Sequence, residues 1–272
     1  MAYWICVTCG TQFPESDTPP DGCPICLDKR QYVGHKGQKW TTLPSMQKDG
    51  HHNTFVEHEP RLTSIGTTPS FAIAQRAYLV QTERGNVLWD CISFIDDETA
   101  ARVEQLGGIA AIAISHPHFY SSMIEWAERF DAPILLHEAN RAWVMRPDER
   151  ITFWSDDTFP LLDDIQLVRL GGHFPGSSVL HWPGGAGGKG VLLTGDTIMA
   201  VPDRNWVSFM YSYPNLIPLP ASEIRRMRDA IAPYPFERLY SSWLERVVSA
   251  DASNAVKRSA ERYLQALERN LS

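Results

Sequence analysis

Four of the five cysteines lie within the first 26 residues, and their spacing constrains this end of the chain more than any other feature does. They form two Cys-x-x-Cys pairs separated by 13 residues: Cys6 with Cys9, and Cys23 with Cys26. Each pair can bring two sulfurs together from one tight turn, and two such turns can close a tetrahedral site of four thiolates. Disulfides would require an oxidising compartment, which nothing in the sequence indicates. The spacing therefore predicts a metal site within residues 1–34.

The residues around these cysteines, 3–10 and 23–26, resemble a short rubredoxin-like knuckle pair and also a structural zinc ribbon. Four sulfur ligands suit either zinc or iron, and we favour zinc because ribbons are the commoner of the two. Residues 1–34 carry four acidic side chains against two basic ones, which is the opposite of what a ribbon that binds nucleic acid would need. The fifth cysteine, Cys91, lies in an apolar run and is predicted to be a buried core residue.

Charge and hydropathy exclude several classes of protein. The formal net charge is −7, whereas a chain whose main partner is nucleic acid usually has a basic excess. No stretch approaches the roughly 20 apolar residues that a helix needs to cross a bilayer. The first residues lack the basic and apolar segments of a signal peptide. We therefore expect a cytoplasmic protein with neither nucleic acid nor a membrane as a partner.

Beyond the cysteines, apolar runs and amphipathic stretches predict an α+β chain. Residues 35–70 contain scattered glycine and proline without a sustained period, so they are predicted to connect the module of residues 1–34 to a domain over residues 71–272. Strands are predicted over residues 71–75, 77–82, 86–91, 109–114, 133–137, 151–154, 165–170, 177–182 and 190–194. Helices are predicted over residues 97–106, 121–130, 138–145, 221–232 and 251–270. Because strands precede helices in each half, two sheets between outer layers of helices are expected.

Three histidines and an aspartate follow the ends of apolar strands. His116 and His118 come directly after the run that ends at Ile114, and alternate residues of an extended turn point the same way. His173 lies in a glycine-flanked turn, and Asp196 follows another apolar run. The carboxyl ends of strands are where sites are usually built in folds of this class. Three imidazoles with a carboxylate suit Zn²⁺ or Fe²⁺.

At these residues the chain resembles the metallo-β-lactamase superfamily, over roughly residues 70–272. The matching elements are Asp90 after an apolar strand, the His-Pro-His of residues 116–118, the Gly-His-Phe-Pro-Gly-Ser of residues 172–177 and the Thr-Gly-Asp-Thr of residues 194–197. The resemblance implies an αββα sandwich with a metal site at one edge, between the sheets. It also implies that the three histidines hold one ion, that Asp196 matches the carboxylate that usually bridges two ions, and that Asp90 organises the metal loop from behind.

The departures from the family pattern concern the second ion. The family motif is His-x-His-x-Asp-His, and here Tyr120 and Ser121 stand at its last two positions. A late Gly-His turn of the family corresponds to Ser241-Ser242, which has no histidine. We therefore expect one ion at the histidines and two ions per chain. Zinc is the metal we favour, and iron is possible at either site. A lost ligand could be replaced by a histidine of the connector: His51, His52 or His58.

Three functions stay open at this point. The first is a mononuclear zinc hydrolase for an ester, thioester, lactone or amide, in which Asp196 is a fourth ligand or orients the water. Tyr120 would then donate to a developing oxyanion, or would only fill the place of the second ion. The second is a non-haem iron oxidoreductase with a rubredoxin-like iron centre as electron donor. The third is a non-catalytic binding protein. Retention of all four first-site residues argues against a non-catalytic protein, and the third imidazole, His118, together with the lack of a flavin domain argues against the oxidoreductase.

Overall fold

The structure is a computed structural model that describes residues 1–268. Its N-terminal part has a three-stranded sheet and two short helices. The strands, in the order β2-β1-β3, are β1 (Ala2–Cys6), β2 (Gln12–Ser16) and β3 (Trp40–Thr41). The helices are α1 (Pro24–Leu27) and α2 (Leu43–Lys48). Cys6 ends β1 and Cys9 lies in the turn that follows, whereas Cys23 directly precedes α1 and Cys26 lies within it, so the two pairs come from separate elements.

A seven-stranded sheet follows, in the order β10-β9-β8-β7-β6-β5-β4. Its strands are β4 (His52–Glu59), β5 (Leu62–Thr68), β6 (Ala77–Val80), β7 (Val87–Trp89), β8 (Ala111–Ala113), β9 (Ile134–His137) and β10 (Ile151–Trp154). Neighbours from β4 to β7 are antiparallel, and those from β7 to β10 are parallel. The parallel strands are joined through helices α3 (Asp97–Gln105) and α4 (Met123–Phe130) and through a 3₁₀ segment, Glu138–Trp143.

A six-stranded sheet forms the second half, in the order β11-β12-β13-β14-β19-β20. Its first four strands are β11 (Thr158–Pro160), β12 (Gln166–Arg169), β13 (Ser178–Trp182) and β14 (Val191–Leu193). Two small hairpins come next: β15 (Met199–Ala200) with β16 (Val207–Ser208), and β17 (Met210–Ser212) with β18 (Ile217–Pro218). The sheet is completed by β19 (Arg238–Tyr240) and β20 (Val247–Val248). The helices of this half are α5 (Gly185–Gly188), α6 (Ala221–Ile231) and α7 (Ala252–Glu268).

Three apolar clusters show how the layers stack. One cluster lies between the two sheets, and it takes Trp89 from the first sheet and Leu193 from the second. Another lies between the first sheet and helices α3 and α4, and a third lies between the second sheet and helices α6 and α7. Successive strand residues point to opposite faces, so Leu88 packs under the helices while Trp89 packs between the sheets. The predicted αββα sandwich with a small N-terminal cysteine module is confirmed.

The predicted strand over residues 71–75 is wrong. Ala72 and Ala74 have φ of 51° and 59°, in the left-handed region, so this segment is a turn. Phe71 and Ile73 are apolar for another reason, since both pack against buried clusters at the edge of the sandwich. Apolar residues that cover a core edge resemble a short strand in sequence, and only their neighbours distinguish the two.

Residues 35–70 also differ from the predicted connector. Part of this range forms β4 and β5, which pair with each other and attach to β6 as the outer strands of the seven-stranded sheet. Strand β4 is mostly exposed or half-buried and lacks a clear apolar alternation, so its sequence resembles a linker. Position 66 of β5 is a glycine, and the Arg76 guanidinium fills the space that a side chain there would need. The start of the larger domain at residue 71 thus stays a prediction, and strands β4 and β5 of its seven-stranded sheet lie before that residue.

The other predicted elements are found with small shifts at their ends. Helix α3 begins after Asp96, whose side chain accepts a hydrogen bond from the Thr99 amide, and glycine follows its end. Helix α4 begins two residues later than predicted because Ser121 has φ of 46°. Of the helix predicted over residues 251–270, the last two residues lie outside the described residues. Within residues 1–268 the structure has no helix of the length and apolar character that crossing a membrane requires.

Candidate metal centre

The loop after β8 carries the first two histidines, and Asp90 fixes where this loop begins. Oδ1 of Asp90 accepts a hydrogen bond of 2.8 Å from the amide of Ser115, directly before His116. Asp90 is fully buried and has φ of 60°, a conformation that Asp adopts more readily than most residues. Burial raises the pKa of Asp90 to about 7, although the Ser115 amide favours the ionised form. This contact has the geometry that the predicted organising role of Asp90 requires.

Four donor atoms, one from each of His116, His118, His173 and Asp196, lie within 4.8 Å of one another. Nε2 of His116 is 3.0 Å from Oδ1 of Asp196, and Nε2 of His173 is 3.8 Å from the same oxygen. Nδ1 of His118 is 3.0 Å from Nε2 of His173. Ligand atoms 2.0–2.1 Å from a tetrahedral zinc ion would be about 3.3 Å apart. The spacing is therefore that of ligands sharing one ion.

Two of the imidazoles are oriented by partners on their far side. Nδ1 of His173 donates to the carbonyl oxygen of Tyr211 at 2.7 Å, because a carbonyl can only accept. The lone pair of His173 is therefore on Nε2, the atom that faces Asp196. Nδ1 of His116 lies 2.9 Å from Oγ of Ser115. Such partners set the tautomer and the ring orientation of metal-binding histidines.

Two properties of the four donor residues fit a metal ion: buried polar atoms that lack hydrogen bonds, and imidazoles that are neutral. In residues 1–268, the buried atoms without a hydrogen bond of acceptable geometry include Nε2 of His116 and Oδ1 of Asp196, although the two lie 3.0 Å apart. Burial lowers the pKa of His118 well below its usual value and that of His173 to about 4, so both imidazoles are neutral at pH 7. Metal binding requires neutral imidazole and ionised carboxylate. A metal ion bound between these facing atoms would supply the partner that each of them lacks.

The positions of the missing second-ion ligands are engaged elsewhere. Oγ of Ser121 donates to the Cys91 carbonyl at 3.2 Å and accepts from Nε2 of Gln75 at 3.0 Å. Tyr120 packs in the apolar cluster beneath α4, and burial raises the pKa of its hydroxyl well above its usual value. Oγ of Ser242 lies 3.5 Å from Oδ2 of Asp90. Among the described residues no hydrogen bond joins the Tyr120 hydroxyl to the four donor residues, so its space-filling role and its oxyanion role both stay predictions.

The histidines of the predicted connector lie on β4 or just before it and have other partners. Nδ1 of His51 is 3.0 Å from the carbonyl oxygen of Met46. His52 is exposed. Nε2 of His58 lies 2.7 Å from Oγ of Ser64. Within the described residues, the group that could hold an ion at this site contains only the four residues named above.

The four cysteines of the N-terminal module form a second donor group. All four are buried and free, and their sulfurs lie within 4.8 Å of one another. Sγ of Cys6 is 3.6 Å from Sγ of Cys26, and Sγ of Cys9 is 3.6 Å from Sγ of Cys23. These distances are much longer than a disulfide bond of about 2.05 Å. They are close to the roughly 3.8 Å between sulfurs that bind one zinc ion at 2.3 Å. Cys91 is buried, as predicted.

A cavity of about 810 Å³ is lined by residues that include Gln75, Met199, Tyr213 and Trp243, and none of the four donor residues forms part of its wall. Gln75 contacts Ser121, Met199 follows Asp196 by three residues, and Tyr213 follows Tyr211 by two. Pockets of roughly 300–1,000 Å³ are typical of small-molecule sites. The volume of this cavity is therefore within the range of a small-molecule site.

Sequence reasoning missed the partners that orient the histidines. Ser115 could have been suspected because it directly precedes His116. Tyr211 had no usable signal, since its role depends on a backbone carbonyl and any residue type would supply one. Within the aromatic stretch 205–216, which contains Tyr211, the structure places Tyr213 at the cavity and Phe209 in the core.

Comparison with known proteins agrees with this geometry. A model of the metallo-beta-lactamase superfamily matches residues 72–243. The chain is 51% identical over 272 residues to "Uncharacterized protein YmaE" of Bacillus subtilis (strain 168), covering 100% of this chain and 99% of that protein. Among solved structures, VMB-1 at pH 5.5 and the DIM-1 metallo-beta-lactamase align with TM-scores of 0.59, at 15% and 13% identity. Each alignment covers 79% of this chain and 98% of the other. Identities this low establish the shared fold alone.

Proposed function

This chain belongs to the metallo-β-lactamase superfamily, and we propose that it is a hydrolase with a single catalytic-site ion, zinc first, bound by His116, His118, His173 and Asp196. One observation carries the proposal. Four buried donor atoms converge within 4.8 Å, while the positions of the family's second-ion ligands hold a tyrosine and serines. A complete first site beside an incomplete second one favours one ion and a working site.

The chemistry follows from these side chains. When bound, a divalent ion supplies a Lewis acid that polarises a carbonyl group and lowers the pKa of water towards 7. The three imidazoles would hold it, each in the neutral form. The position of Asp196 among the imidazole nitrogens favours it as a fourth ligand, and its second oxygen can accept a hydrogen bond from the attacking water.

The substrate we propose is a small molecule with an ester, thioester, lactone or amide bond. The cavity of about 810 Å³ lined by Gln75, Met199, Tyr213 and Trp243 supports a small molecule. A formal net charge of −7 supports a partner other than nucleic acid. The four cysteines, spaced for an ion and not for disulfides, support a reducing compartment such as the cytoplasm.

The cysteine group would hold the second of two ions per chain, with zinc as the first choice. Iron at this site would resemble rubredoxin and would support the oxidoreductase alternative. The colour of the protein separates the two, because iron bound by four thiolates is red and zinc is colourless. Elemental analysis of protein purified without chelator identifies the metals directly.

The test combines metal content with activity. We expect two ions per chain in the wild type and one in His116→Ala or His173→Ala. Hydrolysis of a panel of nitrophenyl esters, thioesters, lactones and amides should fall in both variants to the rate without enzyme. The matched control is His52→Ala, which removes an exposed histidine outside the site and should leave both quantities unchanged. Three ions per chain, or full hydrolysis by His116→Ala, would overturn the proposal.

A further inference from the structure

Arg30 extends from the cysteine module into the histidine site. It follows Cys26 by four residues and is 8% exposed. Its guanidinium is held by the carboxylate of Asp28, with Nε 2.5 Å from Oδ1 and Nη2 3.0 Å from Oδ2. Burial would raise the pKa of Asp28, but the hydrogen bonds and the charge of Arg30 lower it. The amide of Asp28 in turn donates to the carbonyl of Pro24 at 3.1 Å, so the ion pair is built directly on the turn of the second cysteine pair.

The third nitrogen of the guanidinium reaches a predicted ligand. Nη1 of Arg30 donates to the carbonyl oxygen of His173 at 3.2 Å, and the guanidinium carbon lies 3.8 Å from the centre of the Phe174 ring. The carbonyl of Arg30 accepts a hydrogen bond of 3.0 Å from Oγ of Ser212. The residue before Ser212, Tyr211, is the one whose carbonyl orients the His173 imidazole. Arg30 therefore restrains both the backbone of His173 and the segment that sets its ring.

The loop that carries His173 receives this restraint from outside. Strand β12 ends at Arg169 and β13 begins at Ser178, so His173 lies between the strands. The two residues before it, Gly171 and Gly172, have φ of 60° and 75°, and glycine restricts the backbone less than any other residue. The Arg30 guanidinium, placed by the module, adds to the hydrogen bonds that the loop makes within itself, such as the one of 2.9 Å from the Phe174 amide to Oγ of Ser177.

The module also contacts the loop of the other two histidines. The backbone amide of Gln12 donates at 3.0 Å to the carbonyl oxygen of Ser121, which comes three residues after His118. Oγ of Ser93 donates to the carbonyl of Gly10 at 2.9 Å. The turn of the first cysteine pair thus lies against one ligand loop, and the turn of the second pair lies against the other. Residues 10, 12 and 30 all precede residue 72, where the match to the superfamily begins.

From these contacts we infer that the cysteine module is a working part of the histidine site, and that Arg30 is the positioning residue that transmits order from the cysteine ion to His173. A module of this size cannot bury a core large enough to fold without its metal. Loss of the cysteine ion therefore releases Arg30, and the histidine site then binds its own ion less tightly. This inference rests on the proposed metal site and not on hydrolysis.

The test measures the affinity of the histidine site for Co²⁺ by competition with a chelator. Cobalt bound by thiolates has a sulfur charge-transfer band that cobalt bound by imidazoles lacks, so the two sites are read separately in one sample. We expect Arg30→Met to weaken the histidine site about tenfold, the lower end of what partners of ligands contribute. The cysteine band should be retained. The control is Lys29→Met, which removes the same charge from the neighbouring exposed side chain.

A second variant tests the direction of the coupling. Cys23→Ser should weaken the histidine site by a similar factor in the wild-type background and by much less in Arg30→Met, because the two changes break one connection. If Arg30→Met loses the cysteine band, Arg30→Lys replaces it, since one ammonium group cannot serve both Asp28 and the His173 carbonyl. Wild-type affinity in the Arg30 variant and in Cys23→Ser would overturn the inference. Absence of cobalt at the wild-type histidines would instead overturn the proposed function.

Discussion

At the residue scale, burial has two different consequences for the histidines of this chain. His118 and His173 are buried next to a carboxylate and other imidazoles, where neutral rings face an ion site. His181 is buried away from the site, where Nε2 donates to the carbonyl of Pro235 at 2.8 Å and the ring lies 5.3 Å from that of Tyr234. Burial lowers the pKa of His181, and its hydrogen bond only partly offsets this. Burial thus keeps the imidazoles at the candidate metal site neutral, whereas at His181 it makes the folded protein less stable in acid.

His181 should make the protein less stable in mild acid. Below the ordinary histidine pKa of about 6.5, the unfolded chain takes up a proton that the folded protein refuses, so the free energy of unfolding falls as the pH falls. His181→Gln keeps a donor for Pro235 but does not titrate. We expect the stability of the wild type relative to His181→Gln to decrease between pH 7.5 and pH 5, measured by urea unfolding of both proteins in the same metal-containing buffers. A difference that does not change with pH would contradict this.

At the element scale, the turn between β12 and β13 depends on two glycines that are not equivalent. Both have positive φ, so any side chain is strained at either position. A Cβ at Gly171 would lie 2.5 Å from Nη2 of Arg226, the far end of a flexible side chain. A Cβ at Gly172 would lie 3.0 Å from both Leu219 and Met227, which are buried in the core under α6 and α7. Only at the second position are the neighbouring side chains buried, so that room for a Cβ has to come from the core.

Alanine at these two positions should therefore have unequal effects. Gly171→Ala should lose about 1–2 kcal/mol of stability from the left-handed backbone. Gly172→Ala should lose about 1–3 kcal/mol more from overpacking, and should lower the metal content at the adjacent His173. Urea unfolding and elemental analysis of the two variants give the comparison. Equal losses in both variants would mean that the core around Leu219 yields to the new methyl group.

At the scale of the whole molecule, the cysteine module packs against the sandwich through buried charges as well as through Arg30. The guanidinium of Arg146 hydrogen-bonds the Gln12 side chain of the module, pairs with Glu125 of α4 at 2.7 Å and stacks 3.8 Å from the ring of Tyr3. The apolar cluster around the cysteines includes Trp143 from the sandwich. The module is therefore attached along the face that carries both ligand loops.

Removing one cysteine ligand should separate the stabilities of the two parts. Cys23→Ser should lose one ion of two and expose residues 1–34 to proteolysis. The sandwich should stay folded, because the three apolar clusters between its layers contain no residue of 1–34. The buffer must contain enough metal to keep the weakened histidine site filled. Cys91→Ala, which changes a core cysteine, is the control and should keep both ions. Unchanged metal content in Cys23→Ser would contradict the prediction.

The sequence alone predicted the layers and the donors, because both depend on local patterns. Runs such as 109–114 and 190–194 are apolar on both faces, which is the pattern of strands covered on each side, and these positions are in the central strands. The donors follow the ends of such strands, so their side chains could be predicted to share one edge. The hairpin of β4 and β5 could not, since its exposed strand has a sequence close to that of a linker.

What the sequence determined, then, is the set of ligand types and the order of the layers. Only the tertiary structure decided how the ligands are oriented. Arg30 meets the carbonyl of His173 across 143 residues of chain, and Tyr211 meets its imidazole across 38. Both contacts use a backbone carbonyl, which every residue has, so no pattern of residue types marks them. A strand or a ligand pair is encoded by its own side chains, whereas a restraint that uses main-chain atoms exists only once the fold has brought the segments together.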